Sequence, residues 1–179
     1  MNALSNSGND SVLGLVDWDG NRNPSGRVHV LAHNVRDGLE NCIFDPLLIA
    51  LQVARDARNR RTKVGITNDE TYLDVAHFAP DRLQAIVVAV CQTLGTNGGG
   101  TLHQRYIGGL ELDIPSSHLT KDDHDLENAV LAAFPEFNAF NRHSGDLLRH
   151  FATTTMTELP QFIPDLFTAT FIALLNAEL

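Results

Sequence analysis

One stretch near the amino end constrains the fold more than any other: Val12-Leu13-Gly14-Leu15-Val16-Asp17-Trp18-Asp19-Gly20-Asn21. An apolar run of strand length ends in two carboxylates and a glycine turn. Buried strands of parallel sheets have this pattern, and α/β proteins place their chemistry at the carboxyl ends of such strands. Asp17 and Asp19, separated by one residue, can face the same side where the strand runs out. Oxygen ligands grouped in this way suit Mg²⁺ or Mn²⁺, which take carboxylates and keep several waters. A plainer account fits the same residues: Asp17 caps the next segment, and Asp19-Gly20 is an ordinary turn.

The chain beyond this stretch alternates between the two hydrophobic periods. Residues 20–26 (GNRNPSG) are loop formers, and Arg27 to Leu31 alternates with a β-branched bias, predicting a second strand. Asn34 to Asn41 is a turn into a short helix around Leu39 to Phe44. Asp45-Pro46 is an N-cap followed by proline at the first helical position. The helix it opens, Pro46 to Arg58, carries Leu47, Leu48, Leu51 and Ala54 at helical spacing. Arg58 to Lys63 is a basic loop and Asp69 to Val75 a short helix. Pro80 to Leu94 is an amphipathic helix ended by Gly95. Residues 97–100 form a flexible linker. Leu102 to Ile107 and Leu110 to Ile114, joined at Gly108-Gly109, predict a hairpin. Thr120 and Asp123 have capping-box spacing for a helix running to Phe134. Two further helical stretches cover Ser144 to Thr157 and Pro164 to Leu175.

Composition limits the class of function. The chain has 179 residues, 43% of them hydrophobic and 20% charged, enough for one real core. A net charge of -9 argues against a general nucleic-acid-binding module, which shows a basic excess. It leaves room for an enzyme that meets phosphates through a bound cation. Cys42 and Cys91 sit in apolar contexts and form no CxxC, so they are expected to be reduced, buried thiols of a cytoplasmic protein. No apolar run reaches membrane-spanning length, so no membrane partner is expected. Residues 1–11 are polar and predicted to be a flexible amino terminus. Residues 12–179 are predicted to form one α/β domain with a helical C-terminal half, built on a small, mostly parallel sheet with flanking helices and a β-hairpin.

Two further clusters carry candidate chemistry. Glu40, beside Asn41, begins the first short helix, where it can act as a third acid facing the same crevice or simply complement the helix dipole. In Lys121-Asp122-Asp123-His124-Asp125-Leu126-Glu127, His124 and Glu127 lie three apart and Asp123 and Glu127 four apart, on one helix flank. Repulsion between Asp123 and Glu127 invites a cation, although the same acids also suit a helix amino end. The basic run Arg58, Arg60, Arg61 and Lys63 can hold a phosphate backbone or be a solvated charge run. His143 and His150, seven apart, can share a helix face. Residues 97–100 lack the lysine and hydroxyl residue of a P-loop, and no HExxH or GxSxG pattern is present.

The order strand, DWDG, loop, strand, then GLENCIFDP resembles the second half of a Toprim-type domain. The likeness is closest to the domains that follow ABC-type ATPase domains in overcoming-lysogenization-defect (OLD) nucleases. Val16, Asp17 and Asp19 stand for the strand-end acids. Val30 and Leu31 stand for the next strand end, and Glu40, Asn41, Asp45 and Pro46 for the helix start that follows. The likeness is good over Val12 to Leu51 and looser beyond, where His124 to Glu127 is similar to a downstream HDLE of related domains. It implies Mg²⁺ or Mn²⁺ on Asp17 and Asp19, with Glu40 as further ligand or orienting group and His124 or Glu127 reaching the metal-bound water. The first Toprim strand, with its glutamate, would lie upstream of Val12. The expectation is therefore a fragment of a longer ATPase–Toprim protein or a stand-alone remnant, in either case without that general acid/base.

The leading expectation is thus a truncated or accessory Toprim-like domain related to divalent-metal-dependent nucleases. Its partners would be DNA reached through bound metal, an ABC-type ATPase domain or subunit and, in an oligomer, further copies of the chain. An alternative is a non-catalytic interaction or regulatory module docking on an ATPase partner. A third is a small-molecule phosphohydrolase using the same DxD pair.

Overall fold

A computed structural model of the chain describes residues 14–18, 28–31 and 35–166. The predicted flexible amino terminus, Asp19, the loop at 20–26 and most of the last predicted helix lie outside the described residues. The protein is mixed α/β. Strand β1 (Gly14–Asp17) pairs in parallel with β2 (Val28–Leu31), Gly14 facing Val28 and Asp17 facing Leu31. Strands β3 (Thr101–Arg105) and β4 (Glu111–Pro115) form a separate antiparallel hairpin, Thr101 facing Pro115 and Arg105 facing Glu111. Among the described residues the strands stay in these two pairs, one parallel and one antiparallel, and most of the apolar residues in the middle of the chain enter helices.

Helix α1 (Glu40–Ile43) leads into α2 (Pro46–Asp56), which is the centre of the molecule. Every residue of α2 from Pro46 to Ala54 is buried. A helix apolar on all sides must be surrounded, and each Leu, Ile or Val so buried contributes about 1.5–3 kcal/mol. Asp45 starts α2 as the sequence indicates, its Oδ1 accepting from Leu47 N at 3.0 Å, with Pro46 at the first helical position. Helix α3 (Tyr72–Val75) is opened by a Thr71–Asp74 capping box. Helix α4 (Pro80–Leu94) lays Leu83, Ile86, Val87, Val90, Cys91 and Leu94 on the core and ends at Gly95 with φ +66°.

The inner hairpin face, with Gln104, Leu112 and Ile114, closes one side of α4, and Tyr106 is buried beyond the strand. Then come α5 (Ser116–Leu119), α6 (Asp123–Ala133), α7 (Asp146–Thr153) and α8 (Thr155–Glu158). Phe44 meets Phe151 edge-on with centroids 5.3 Å apart, and Phe151 meets Phe137 at 5.6 Å. These contacts tie α7 to the start of α2. The buried apolar residues from Ile43 to Phe162 form a single cluster.

Several local expectations are corrected. Residues 97–100 are no slack linker: Ser117 Oγ accepts from Gly98 N at 2.9 Å and donates to Thr96 O at 2.7 Å. The basic run is a 3₁₀ helix, Arg58–Val64, that closes the end of α2. Arg61 is buried and donates from Nε and a terminal nitrogen to Ala54 O at 3.0 and 2.9 Å, capping carbonyls that the helix leaves open. Arg60 pairs with Glu136 at 2.8 Å. Asp122, not Thr120, caps α6, accepting from Asp125 N, while Thr120 closes α5 through Ser116 O. The stretch 144–157 is broken at Thr154, where φ is -113° and ψ -92°. His143 stands ahead of α7, its N–H donating to Asp146 Oδ2, so it does not share a helix face with His150. No described helix is long and apolar enough to cross a membrane.

Candidate functional site

The carboxyl end of β1 meets the turn before α1. Gly38 N donates to Trp18 O at 2.8 Å, one residue past Asp17. Gly38 has φ +76°, a backbone region that glycine adopts without strain. Two carboxylates converge on it. A Cβ placed on Gly38 would lie 3.2 Å from Glu40 Oε2 and 3.6 Å from Asp123 Oδ2. A side chain at this position would crowd Glu40, so glycine permits the close approach of both carboxylates. Glu40 is half-buried in the first turn of α1, and Asp123 begins α6, against which α1 packs.

The predicted residues thus fall as follows. Asp17 ends β1 at the strand end nearest Gly38; its side chain, and the whole of Asp19, lie outside the described residues. Glu40 and Asp123 both approach Gly38, whereas sequence analysis grouped Asp123 with Glu127. The His124 side chain is 83% exposed, with Nδ1 3.8 Å from Asp123 Oδ1. Glu127 is half-buried one helical turn further along α6. Among the described residues no group of three or more His, Cys, Asp or Glu side chains is arranged to hold a metal ion. Among the described residues the carboxylates beside Gly38 are those of Glu40 and Asp123, oxygen donors of the hard kind that Mg²⁺ or Mn²⁺ takes.

Beneath this rim is a buried polar anchor that sequence analysis missed, apart from Asp45 as a cap. Arg36 is fully buried and donates to Asp45 Oδ2 at 2.7 Å, to Gln104 Oε1 at 3.0 Å and to the carbonyl of Asn41. Burial, the largest single influence, works against its charge, but the charge and hydrogen bond of Asp45 together with Cys42 and Tyr106 raise its pKa. Tyr106 donates to Asp45 Oδ1 at 3.0 Å; burial, then the Asp45 charge, raise its pKa well above the ordinary value. Asn41 is buried as well, and its Nδ2 donates at 2.8 Å to both Leu119 O and Lys121 O. His118 is enclosed between Thr96 Oγ1 and Phe44 O, each 2.9 Å from a ring nitrogen; burial pushes its pKa down to about 4. The signal for this anchor in the sequence was a lone arginine in a turn, and no short-range pattern marks its partner at Gln104.

A second polar group lies at the far end of α2. Gln52, fully buried, accepts from Thr154 and Thr155 hydroxyls and donates to Asp56, which receives His150 Nε2 at 2.7 Å. Phe140 stacks flat on His150 with centroids 3.9 Å apart. A shallow hollow of about 240 Å³ opens beside them, lined by Phe140, Asp146, Arg149, His150 and Thr153. No hydroxyl or thiol of the lining is bonded to the His150 ring, Thr153 donating to backbone carbonyls instead, so the group reads as an interhelical brace.

Cys42 and Cys91 are buried and form no disulfide among the described residues, and burial pushes the Cys91 thiol up to about 12, which makes it inert as a nucleophile. No protein-family model, curated protein or solved structure matches the chain.

Proposed function

We propose that the chain is a Toprim-like domain related to divalent-metal-dependent nucleases, in a truncated or accessory form. On this reading Asp17, which ends β1, and Asp19, two residues on in sequence, share Mg²⁺ or Mn²⁺ with Glu40 and Asp123, and the parallel β1–β2 pair is part of a mostly parallel Toprim sheet. The observation that carries the reading is the convergence at Gly38: the β1 end is hydrogen-bonded to the glycine on which both carboxylates close. Two carboxylates approaching one glycine supply oxygen ligands of the kind a divalent cation takes. Bound there, such an ion would polarise a phosphodiester and acidify its own water. Asp123 and Glu40 would orient it, and Glu127 would be the nearest further carboxylate along α6 able to take a proton. DNA would be met through that cation, since the chain carries 22 acidic against 13 basic residues.

The test is nicking of supercoiled plasmid with Mg²⁺ or Mn²⁺ by the parent chain and by the Asp17→Ala, Asp19→Ala variant. The expected result is metal-dependent nicking in the parent alone; equal activity in both removes the assignment. A second reading, a non-catalytic module docking on an ABC-type ATPase, is favoured by one observation: Asp122, Asp125 and His124 are exposed at the start of α6, giving an acidic surface without a described third ligand. A parent that binds no Mn²⁺ at millimolar concentration selects this reading.

A further inference from the structure

The turn that joins α4 to β3 is fastened to the start of α5 by a row of hydrogen bonds. Gly98 N donates to Ser117 Oγ at 2.9 Å, and that hydroxyl donates to Thr96 O at 2.7 Å. Ser116 N donates to Gly100 O at 2.8 Å. Gly99 has φ +75°, and a Cβ placed on it would collide with Ser116 Oγ, so the turn lies close against α5. The row ends inside the protein at His118, fully buried, whose ring bridges Thr96 Oγ1 and Phe44 O. We propose that the His118–Thr96 pair is an acid-released clasp: uptake of one proton by the imidazole frees the 96–100 turn from α5 while α2 stays packed.

The direction of each bond follows from the partners. A carbonyl only accepts, so Nε2 carries the ring hydrogen and donates to Phe44 O. The neutral ring then leaves Nδ1 as an acceptor, and Thr96 Oγ1 donates to it. A proton taken from solvent adds at Nδ1, and no covalent bond breaks. Nδ1 becomes a donor, so the Thr96 hydrogen that pointed at it has to turn away. Its alternative acceptor, Cys91 O, is 3.4 Å off and already receives Thr96 N at 2.8 Å. Burial is the largest influence against charging the ring; Arg36 and Lys121 add to it, while the Phe44 carbonyl and Asp45 oppose it, which leaves the pKa at about 4. Asp45 offers the imidazolium little, being held by Arg36, Tyr106 and Leu47 N. The Cys91 thiol on the α4 side stays protonated and supplies no charge. From Pro46 to Ala54, by contrast, α2 is buried within the apolar cluster.

The test is amide hydrogen exchange of the full chain from neutral pH down to about pH 3.5, corrected for intrinsic rates, with the His118 ring nitrogens followed by NMR. The expected result is a loss of protection of about tenfold or more at Thr96, Gly98 and Ser116 as the ring is protonated, with Ile49 to Val53 changing less than about twofold. At neutral pH the ring should carry its hydrogen on Nε2; the other tautomer overturns the proposal. Simultaneous loss at the turn and in α2 also overturns it, because the acid event is then global unfolding. So does a turn whose opening midpoint lies more than about one pH unit from the titration of the ring itself. His118→Gln has no such proton to take up, so its turn should keep the same protection across the range, and a turn that still opens with acid is the contrary result. If that variant does not fold, Thr96→Val keeps the ring and removes the hydroxyl. Exchange at Gly98 and Ser116 should then already be fast at neutral pH, and protection equal to the parent's is the contrary result.

Discussion

Arg36 and Glu40 lie four residues apart, yet they face opposite electrostatic problems. Arg36 is sealed in the core against Asp45, with Tyr106 and Gln104 completing the group, so its charge is neutralised where water cannot reach. Glu40 sits half-buried at the rim, where it and Asp123 both approach Gly38. Opposite charges locked together hold a fold in one arrangement, whereas carboxylates at a half-buried rim remain within reach of solvent ions. The contrast separates the scaffold from the candidate site within a single turn of chain.

The largest effect is expected from breaking the inner pair. Asp45→Ala removes the partner of Arg36, the acceptor of Tyr106 and the cap of α2 together. Loss of one partner of a buried pair costs about 3–5 kcal/mol. Urea unfolding should show that loss, while Asp45→Asn, which keeps a capping oxygen, should fall between it and the parent.

Acid should expose the second buried group. His118 is held neutral, its pKa lowered from 6.5 to about 4. The unfolded chain takes up the proton first, so the stabilisation is complete above the ordinary histidine value and is lost as pH falls toward 4. At about 1.4 kcal/mol per pH unit this window is worth on the order of 3 kcal/mol. Urea midpoints from neutral pH downward should fall in the parent, and His118→Gln should flatten the slope.

Next in size is Gly38→Ala. It places a Cβ at φ +76° and 3.2 Å from Glu40 Oε2, with an expected cost of about 1–2 kcal/mol. The same variant should displace Glu40 and weaken Mn²⁺ binding, so melting and metal titration together show whether the glycine serves the fold alone.

The smallest effect is at His103 on the outer hairpin face, whose Nδ1 lies 3.1 Å from Asp113 and Nε2 3.2 Å from Glu111. Its bonds to Asp113, then Glu111, raise its pKa. Its contribution is full below the ordinary histidine value and fades as pH rises through the raised one, opposite in sign to His118. His103→Gln should lower the melting temperature slightly at acid pH and leave it unchanged at alkaline pH.

What could be read in the sequence was the local part. Asp45-Pro46, the 80–94 stretch with Gly95 and the hairpin about Gly108-Gly109 are each set by residues within a turn of one another. The partners of Arg36, Asn41 and His118 are not local: Gln104, Leu119 and Phe44 are supplied by other elements, and no periodicity points to them. Arg61 was misread for the same reason, since a basic run does not show which guanidinium turns inward to cap α2. At the rim, Glu40 was singled out on its own sequence context. Asp123 was grouped with Glu127 because helix spacing sees one helix at a time.

The central claim is that the rim at Gly38 holds a divalent cation. Calorimetric titration of Mn²⁺ into the parent and into the Glu40→Gln, Asp123→Asn double variant tests it most directly. One saturable site in the parent, weakened at least tenfold in the double variant with the fold intact, is the predicted result. Heats in the parent no different from dilution at millimolar Mn²⁺, or equal affinity in both proteins, would contradict it.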